Sequence, residues 1–260
     1  MLGAMTVLFL AVVGLFYANQ EKILFHPRKL SADHVFEFQE PFEEVFIAAD
    51  DDTRLHGLLF KAASPKGLAF YLHGNAGSLD SWGGAAKPFL ANDYDCFILD
   101  YRGYGKSEGE ISSEDQLLAD VNAAYRYLTR RYSEGSVVVV GYSIGAAPAA
   151  YLAAENNPGK LILKAPYNNM AYLQRMYYAW LPAFGLRYEL TTDEYLKRAH
   201  LPVTIFHGSD DRVIPYECSL KLQETFDGDD RLVTLEGQGH DGMSGNDAYA
   251  RTLAGILAAD

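Results

Sequence analysis

Val137-Val138-Val139-Val140-Gly141-Tyr142-Ser143-Ile144-Gly145-Ala146-Ala147 is the stretch on which the reading of this chain turns. Four consecutive valines make a short apolar run of the kind buried in a sheet with both faces covered. The run enters Gly-x-Ser-x-Gly directly, and small residues suited to a closely packed helix follow. A serine on such a sharp strand-to-helix turn is held out at its tip, where side chains at positions 141 and 145 would collide with neighbouring backbone. The following helix points its N-terminal N–H groups and the positive end of its dipole at the serine, a setting that favours an oxyanion. Ser143 is the candidate nucleophile. Gly-x-Ser-x-Gly alone is common by chance; its place between strand and helix gives it weight.

Working outward, short apolar runs alternate with helical stretches from about residue 42. Residues 45–48 and 55–61 read as a hairpin around Asp50-Asp51-Asp52. Residues 68–72, 96–99, 137–140 and 161–163 read as fully buried strands, and 203–206 and 232–235 complete a set of eight. Ser112-Ser113-Glu114-Asp115 caps a helix in which Leu117, Leu118, Val121, Ala124, Tyr125 and Leu128 recur at helical spacing. The fold class is therefore α/β, a mostly parallel eight-stranded sheet covered by helices on both faces. Residues 166–200 interrupt the alternation. Too long for a plain connection and rich in tyrosine, they read as a small helical cap. Met170, Tyr172, Leu173, Met176, Tyr177 and Trp180 either line an apolar pocket there or pack the cap onto the body.

A serine hydroxyl needs a base. Of seven histidines, His240 stands in a glycine-flanked loop, Gly237-Gln238-Gly239-His240, after the last strand and before the last helical run. His73 and His207 each close a strand as His-Gly, where a structural part in a tight turn is expected. His26, His34, His56 and His200 have no motif around them. The base in turn needs an orienting carboxylate, and His207-Gly208-Ser209-Asp210-Asp211 supplies two, Asp210 and Asp211. Donors for a developing oxyanion are expected from the backbone N–H of Ile144 and, in His73-Gly74-Asn75-Ala76-Gly77, of Asn75. His73, His207, Asp100 and Asp210 lack the spacing of a metal site, and no cofactor is expected.

His73-Gly74-Asn75-Ala76-Gly77, Asp100-Tyr101-Arg102-Gly103-Tyr104-Gly105, Gly141-Tyr142-Ser143-Ile144-Gly145 and His207-Gly208-Ser209-Asp210-Asp211-Arg212-Val213-Ile214-Pro215 together resemble the α/β-hydrolase superfamily. The likeness is to its membrane-anchored serine-hydrolase branch, which includes depalmitoylating thioesterases, with motifs shared by prolyl-oligopeptidase-related bacterial hydrolases. It runs over roughly residues 20–258. The order nucleophile, acid, histidine is the one such proteins use. The resemblance places the acid four residues after the histidine of the His-Gly pair, at Asp211. It makes Asp100 to Gly105 a structural loop near the site. It also implies a serine hydrolase acting on carboxylic esters or thioesters, lipid-like acyl groups among them. The alternatives are a peptidase or amidase of prolyl-oligopeptidase type, or a ligand-binding protein that keeps the fold without turnover.

Composition bounds the partners. The 260 residues are 49% hydrophobic and 22% charged, as in a globular protein, and the net charge of −12 disfavours a nucleic-acid partner. A small-molecule or acylated substrate fits better. Two cysteines give no disulfide framework. The uncharged stretch from Leu2 to Ala18 would rise about 26 Å as a helix, against ~30 Å for a bilayer core. The sequence therefore predicts a single N-terminal membrane anchor over residues 1–20, with a cleaved signal that would leave a secreted or periplasmic enzyme, or a hydrophobic helix buried against the domain or in an oligomer, as alternatives, and a hydrolase domain over 21–260. Lys22, Arg28 and Lys29 after the span favour the cytoplasmic side for the domain.

Overall fold

The computed structural model describes residues 2–182 and 185–259, Leu2 by its backbone alone. Helices α1 (Leu2–Ala18) and α2 (Gln20–Leu24) precede eight strands. These are β1 (Phe42–Ala48), β2 (Arg54–Phe60), β3 (Gly67–Leu72), β4 (Tyr94–Asp100), β5 (Val137–Tyr142), β6 (Lys160–Lys164), β7 (Val203–Gly208) and β8 (Arg231–Leu235). They form one sheet in the order β8-β7-β6-β5-β3-β4-β2-β1. The β1–β2 and β2–β4 pairs are antiparallel, and every other neighbour is parallel. All eight expected strands are present, and the hairpin closes where the three aspartates stand, with Ala48 opposite Arg54.

Helices α3 (Glu114–Leu128), α4 (Ala146–Glu155), α5 (Met170–Tyr177), α6 (Thr192–Leu196), α7 (Glu217–Leu222) and α8 (Asp247–Ala258) follow the strands that precede them. Ser113 caps α3 by accepting from the Gln116 N–H, with Glu114 and Asp115 in the first turn, as the sequence predicts. Alternate residues of β3 and β5 feed two cores. Leu68, Phe70, Leu72, Val137 and Val139 share one with Leu117, Val121 and Ala124 of α3 and Ala149, Ala150 and Ala153 of α4. Ala69, Tyr71, Val138 and Val140 share the other with Phe89 and with Leu253, Ile256 and Leu257 of α8. Each fully buried Leu or Phe contributes about 1.5–3 kcal/mol, so covering both faces stabilises the strand ends that carry the loops after β3, β5, β7 and β8. Cys96 and Cys218 are buried and unpaired, and burial pushes the Cys218 thiol up to about 11.

The N-terminal segment corrects the sequence reading. Among the described residues no helix is long and apolar enough to cross a membrane, so neither the predicted span nor the localisation built on it stands. Helix α1 has 17 residues; at 1.5 Å per residue it falls short of a bilayer core. Its C-terminal end and α2 instead lie on the cap segment. Gln20 Nε2 donates to the Gly185 carbonyl at 2.9 Å and Gln20 Oε1 accepts from the Arg187 N–H at 2.9 Å. Arg187 pairs with Glu21 at 2.6 Å, and the Phe16 and Tyr178 rings meet at 5.8 Å. The cap segment itself holds α5 and α6, while Ala183 and Phe184 within it lie outside the described residues.

Candidate active site

Strand β5 delivers Ser143 onto a tight turn with φ +54°, in the left-handed region that L residues seldom occupy. Such a residue stores about 1–3 kcal/mol of strain and persists only where its surroundings hold it. Two close approaches do so. A Cβ at Gly141 would strike the Gly145 carbonyl and Ala149, and one at Gly145 would strike the Leu72 and His73 carbonyls at the end of β3. Ile144 is the second residue of the helical turn Ser143–Gly145. Its N–H is therefore one of the orphan donors at a helix start.

The loop after β3 is held from behind by aromatic side chains. Tyr101 Oη donates to the His73 carbonyl at 2.8 Å and Tyr104 Oη to the Asn75 carbonyl at 2.6 Å. His73 Nδ1 lies 2.7 Å from the Gly74 carbonyl, which can only accept, so that nitrogen carries a proton. Gly74 C=O and Asn75 N–H belong to one peptide plane; three successive carbonyls are thus fixed around the candidate donor. A further tie comes from the His26 N–H, which donates to the Asn75 carbonyl at 2.8 Å. The stretch Asp100 to Gly105 acts structurally here, as expected. Its Arg102 forks onto Asp120 of α3 at 2.7 Å and onto Asp51 in the β1–β2 turn at 2.8 Å.

Past β7 the two aspartates part. Asp210 is exposed beside Ser209, whereas Asp211 is buried and meets His240, its Oδ2 lying 2.7 Å from His240 Nδ1. Asp211 Oδ1 accepts from the Val213 and Ile214 N–H groups at 2.8 and 2.9 Å. Burial alone would push the Asp211 carboxyl up. The hydrogen bonds from His207 and His240, with the Ile214 N–H, outweigh burial and hold it well below the usual carboxylate range. The carboxylate keeps the His240 proton on Nδ1 and leaves Nε2 free to take one.

Tyr142 ties the strand that carries Ser143 to the His240 loop. Its hydroxyl is 2.8 Å from the His240 carbonyl and 3.0 Å from Asp241 Oδ1, and its ring lies 5.2 Å from the imidazole, centre to centre. Ser143 Oγ and His240 are not hydrogen-bonded among the described residues. Such pairs commonly tighten only with substrate in place.

Three contributors escape sequence reasoning. His207 is fully buried, with Nε2 2.9 Å from the Ile214 carbonyl and 3.3 Å from Asp211 Oδ2, so it steadies the acid as well as its turn. Tyr142 occupies a motif position open to any residue. Tyr177 of α5 reaches the Arg212 and Val213 carbonyls at 3.3 and 3.1 Å, beside the acid. The ring at position 142 is the one sequence signal among them. His34 meets the Phe36 ring edge to face, and the buried His56 lies 3.0 Å from Glu44 and 3.8 Å from Asp100. No group of three or more His, Cys, Asp or Glu side chains among the described residues could hold a metal.

A family model for the alpha/beta hydrolase fold matches residues 70–182. Alpha/beta hydrolase domain-containing protein 17B of Xenopus laevis is 30% identical over 205 residues, covering 75% of this chain and 67% of that protein. The chain belongs to the α/β-hydrolase family. The lysophosphatidylserine lipase ABHD12 of Danio rerio is 28% identical over 186 residues, 64% of this chain. The match spans about half of that relative (48%). Among solved structures, the Pyrococcus furiosus esterase Pf2001 superposes with a TM-score of 0.71 at 18% identity, over 90% of this chain and 97% of the esterase.

Proposed function

We propose that this protein hydrolyses carboxylic esters or thioesters through an acyl-enzyme on Ser143, with His240 as base and then acid and Asp211 as its orienter. The observation that carries the reading is the 2.7 Å Asp211–His240 pair beside a serine held at φ +54°. A buried carboxylate, an imidazole with a free nitrogen and a serine on a strained turn are what nucleophilic acyl transfer needs. Esterase and lipase names among the relatives and structural neighbours support the same bond class.

In the first half-reaction Ser143 Oγ attacks the acyl carbon as its proton passes to His240 Nε2. The N–H groups of Ile144 and Asn75 receive the oxyanion; one such donor is worth about 10²–10³-fold in kcat. His240 then gives its proton to the leaving oxygen or sulfur as that bond breaks. In the second half-reaction water attacks the acyl-enzyme, its proton goes to His240, and the carboxylic acid leaves as Ser143 recovers its own. The test pairs a fluorophosphonate probe with p-nitrophenyl ester turnover. Wild type is expected to react with both and Ser143→Ala with neither. Undiminished turnover in that variant would sink the assignment.

A further inference from the structure

A cavity of about 240 Å³ opens beside the His240 loop, on the face of the sheet that α8 covers. Neither Ser143 nor His240 lines it. Buried Tyr71 and Lys164 form its floor, and exposed Ser81, Asp241 and Ser244 stand at its mouth. Lys164 is only 3% exposed, yet it is the one cationic side chain in the lining. Among the described residues its Nζ has neither a carboxylate nor a hydrogen-bond partner. It faces rings instead, 4.7 Å from the centre of Tyr249 and 5.6 Å from those of Tyr71 and Tyr142. Burial pushes the hydroxyls of these three tyrosines up, and the thiol of Cys96 beside them. All four stay neutral at neutral pH, so none supplies a counter-charge. The Lys164 ammonium, pushed down to about 8 by burial, is still mostly charged there.

A buried ammonium without a partner carries a desolvation cost that an anion at the floor would offset. One lysine, a compact point charge, balances a monoanion; a phosphate would bring more negative charge than it can match. Asp241 is the one anionic side chain in the lining, but it stands at the mouth, where water screens it. The charge at the dry floor acts more strongly than the one in solvent. Trp82 and Met243 add apolar wall, which suits an occupant with an apolar body. Drug-sized pockets run to about 300–1,000 Å³, so a cavity of about 240 Å³ selects a small molecule.

We infer that this cavity binds a small organic carboxylate, its anion set against Lys164 Nζ, and that occupancy is transmitted to His240 through Tyr142. The Tyr142 ring lines the cavity, while its hydroxyl lies 2.8 Å from the His240 carbonyl and 3.0 Å from Asp241 Oδ1. A ligand that shifts this ring therefore shifts the backbone of the candidate base. Binding is independent of the ester-hydrolase reading; the transmission rests on it.

The test combines titration calorimetry with kcat and KM on p-nitrophenyl acetate, for wild type, Lys164→Met, Ser244→Trp and Tyr142→Phe, each checked by a thermal melt. Wild type is expected to bind benzoate with a Kd below about 1 mM, and its neutral counterpart benzamide about tenfold or more weakly. Lys164→Met removes the charge and Ser244→Trp fills the mouth. Each is expected to weaken benzoate by about tenfold or more, so one folded variant of the two suffices. Saturating benzoate is expected to change wild-type kcat by about twofold or more. Tyr142→Phe is expected to keep benzoate binding and lose that response. Equal binding of benzoate and benzamide, or undiminished benzoate binding in a folded Lys164→Met or Ser244→Trp, overturns the site. So does benzoate that only raises KM, in wild type and Lys164→Met alike, as a product held at Ser143 would. Binding with no change in kcat overturns the transmission. A wild type that turns over no ester breaks the hydrolase reading and the transmission with it, and the calorimetry still decides the carboxylate site.

Discussion

Asp100 at the end of β4 and Asp211 just past β7 are both buried carboxylates flanked by two histidines, yet their surroundings differ in every chemically relevant respect. Asp211 Oδ2 holds His240 at 2.7 Å and His207 at 3.3 Å, and two backbone N–H groups satisfy Oδ1. His240 keeps a side chain 10% exposed, beside Tyr142 and its neighbour Ser143. Around Asp100 nothing reaches solvent. His73 Nε2 stands 3.5 Å away and His56 Nδ1 3.8 Å, with both imidazoles and the carboxyl fully buried. His56 Nδ1, His73 Nε2 and Asp100 Oδ1 make no hydrogen bond. One aspartate–histidine set is hydrogen-bonded and reaches the surface through His240; the other is sealed under the loop after β3, where His73 donates to the Gly74 carbonyl. Residue types alone do not make a proton relay. Alignment and access do.

Substitution at the two sites should break this symmetry. The largest expected effect is at the open set: Asp211→Asn should lower kcat by about 10⁴-fold, because an amide no longer selects the Nδ1–H tautomer of His240. His240→Ala should cost at least as much, read by single-turnover release of p-nitrophenol from an ester. The same change at the sealed set, Asp100→Asn, should alter kcat by less than about tenfold and show itself mainly in the melting temperature. Equal losses of kcat at both aspartates would make the Asp100 cluster part of the chemistry and erase the distinction.

The smallest expected effect comes from a third buried ionisable group that lacks any carboxylate partner. Lys164 at the end of β6 lies 4.7–5.6 Å from the ring centres of Tyr249, Tyr71 and Tyr142. Burial pushes its ammonium down to about 8. A folded-state value below the ordinary lysine value means that the charged form is disfavoured by folding. That penalty is full below pH 8, fades as pH rises toward the unfolded value and is gone above it. The three rings offset part of it. Lys164→Met should therefore raise Tm by about 2–4 °C at pH 7, and by less at pH 10, in paired thermal melts. A fall in Tm at pH 7 would show that the aromatic contacts outweigh the burial cost.

Much of this frame was legible in the sequence because it is local. Eight short apolar runs mark eight strands, and only their ends were misjudged. Strand β4 starts two residues earlier than its apolar run because Asp95 is buried productively, accepting from the Ala62 N–H at 2.8 Å and pairing with Lys61 at 3.2 Å. Ser143 and His240 stand in motifs that can be read directly. The choice between Asp210 and Asp211 was not open to the residues themselves, since both carry the same chemistry. Resemblance named Asp211, and burial separates the two in the structure.

What stayed illegible depends on contacts between distant residues. Gln20 meets Gly185 and Arg187, Tyr177 meets the loop after Asp211, and His207 leans on that acid across its own turn. None of these leaves a period or a spacing to read. Hydropathy likewise reported that residues 2–18 are apolar, but not that the next helix lays this end of the chain against the cap segment. Several of its apolar side chains remain exposed even so, among them Met5, Leu8 and Leu10.

The most direct measurement is the site of covalent capture. After reaction with a fluorophosphonate and proteolysis, mass spectrometry should find one adduct per chain, on the peptide that carries Ser143, with ester turnover lost in proportion to labelling. An adduct on another residue, labelling that survives Ser143→Ala, or full labelling with turnover intact would contradict the account.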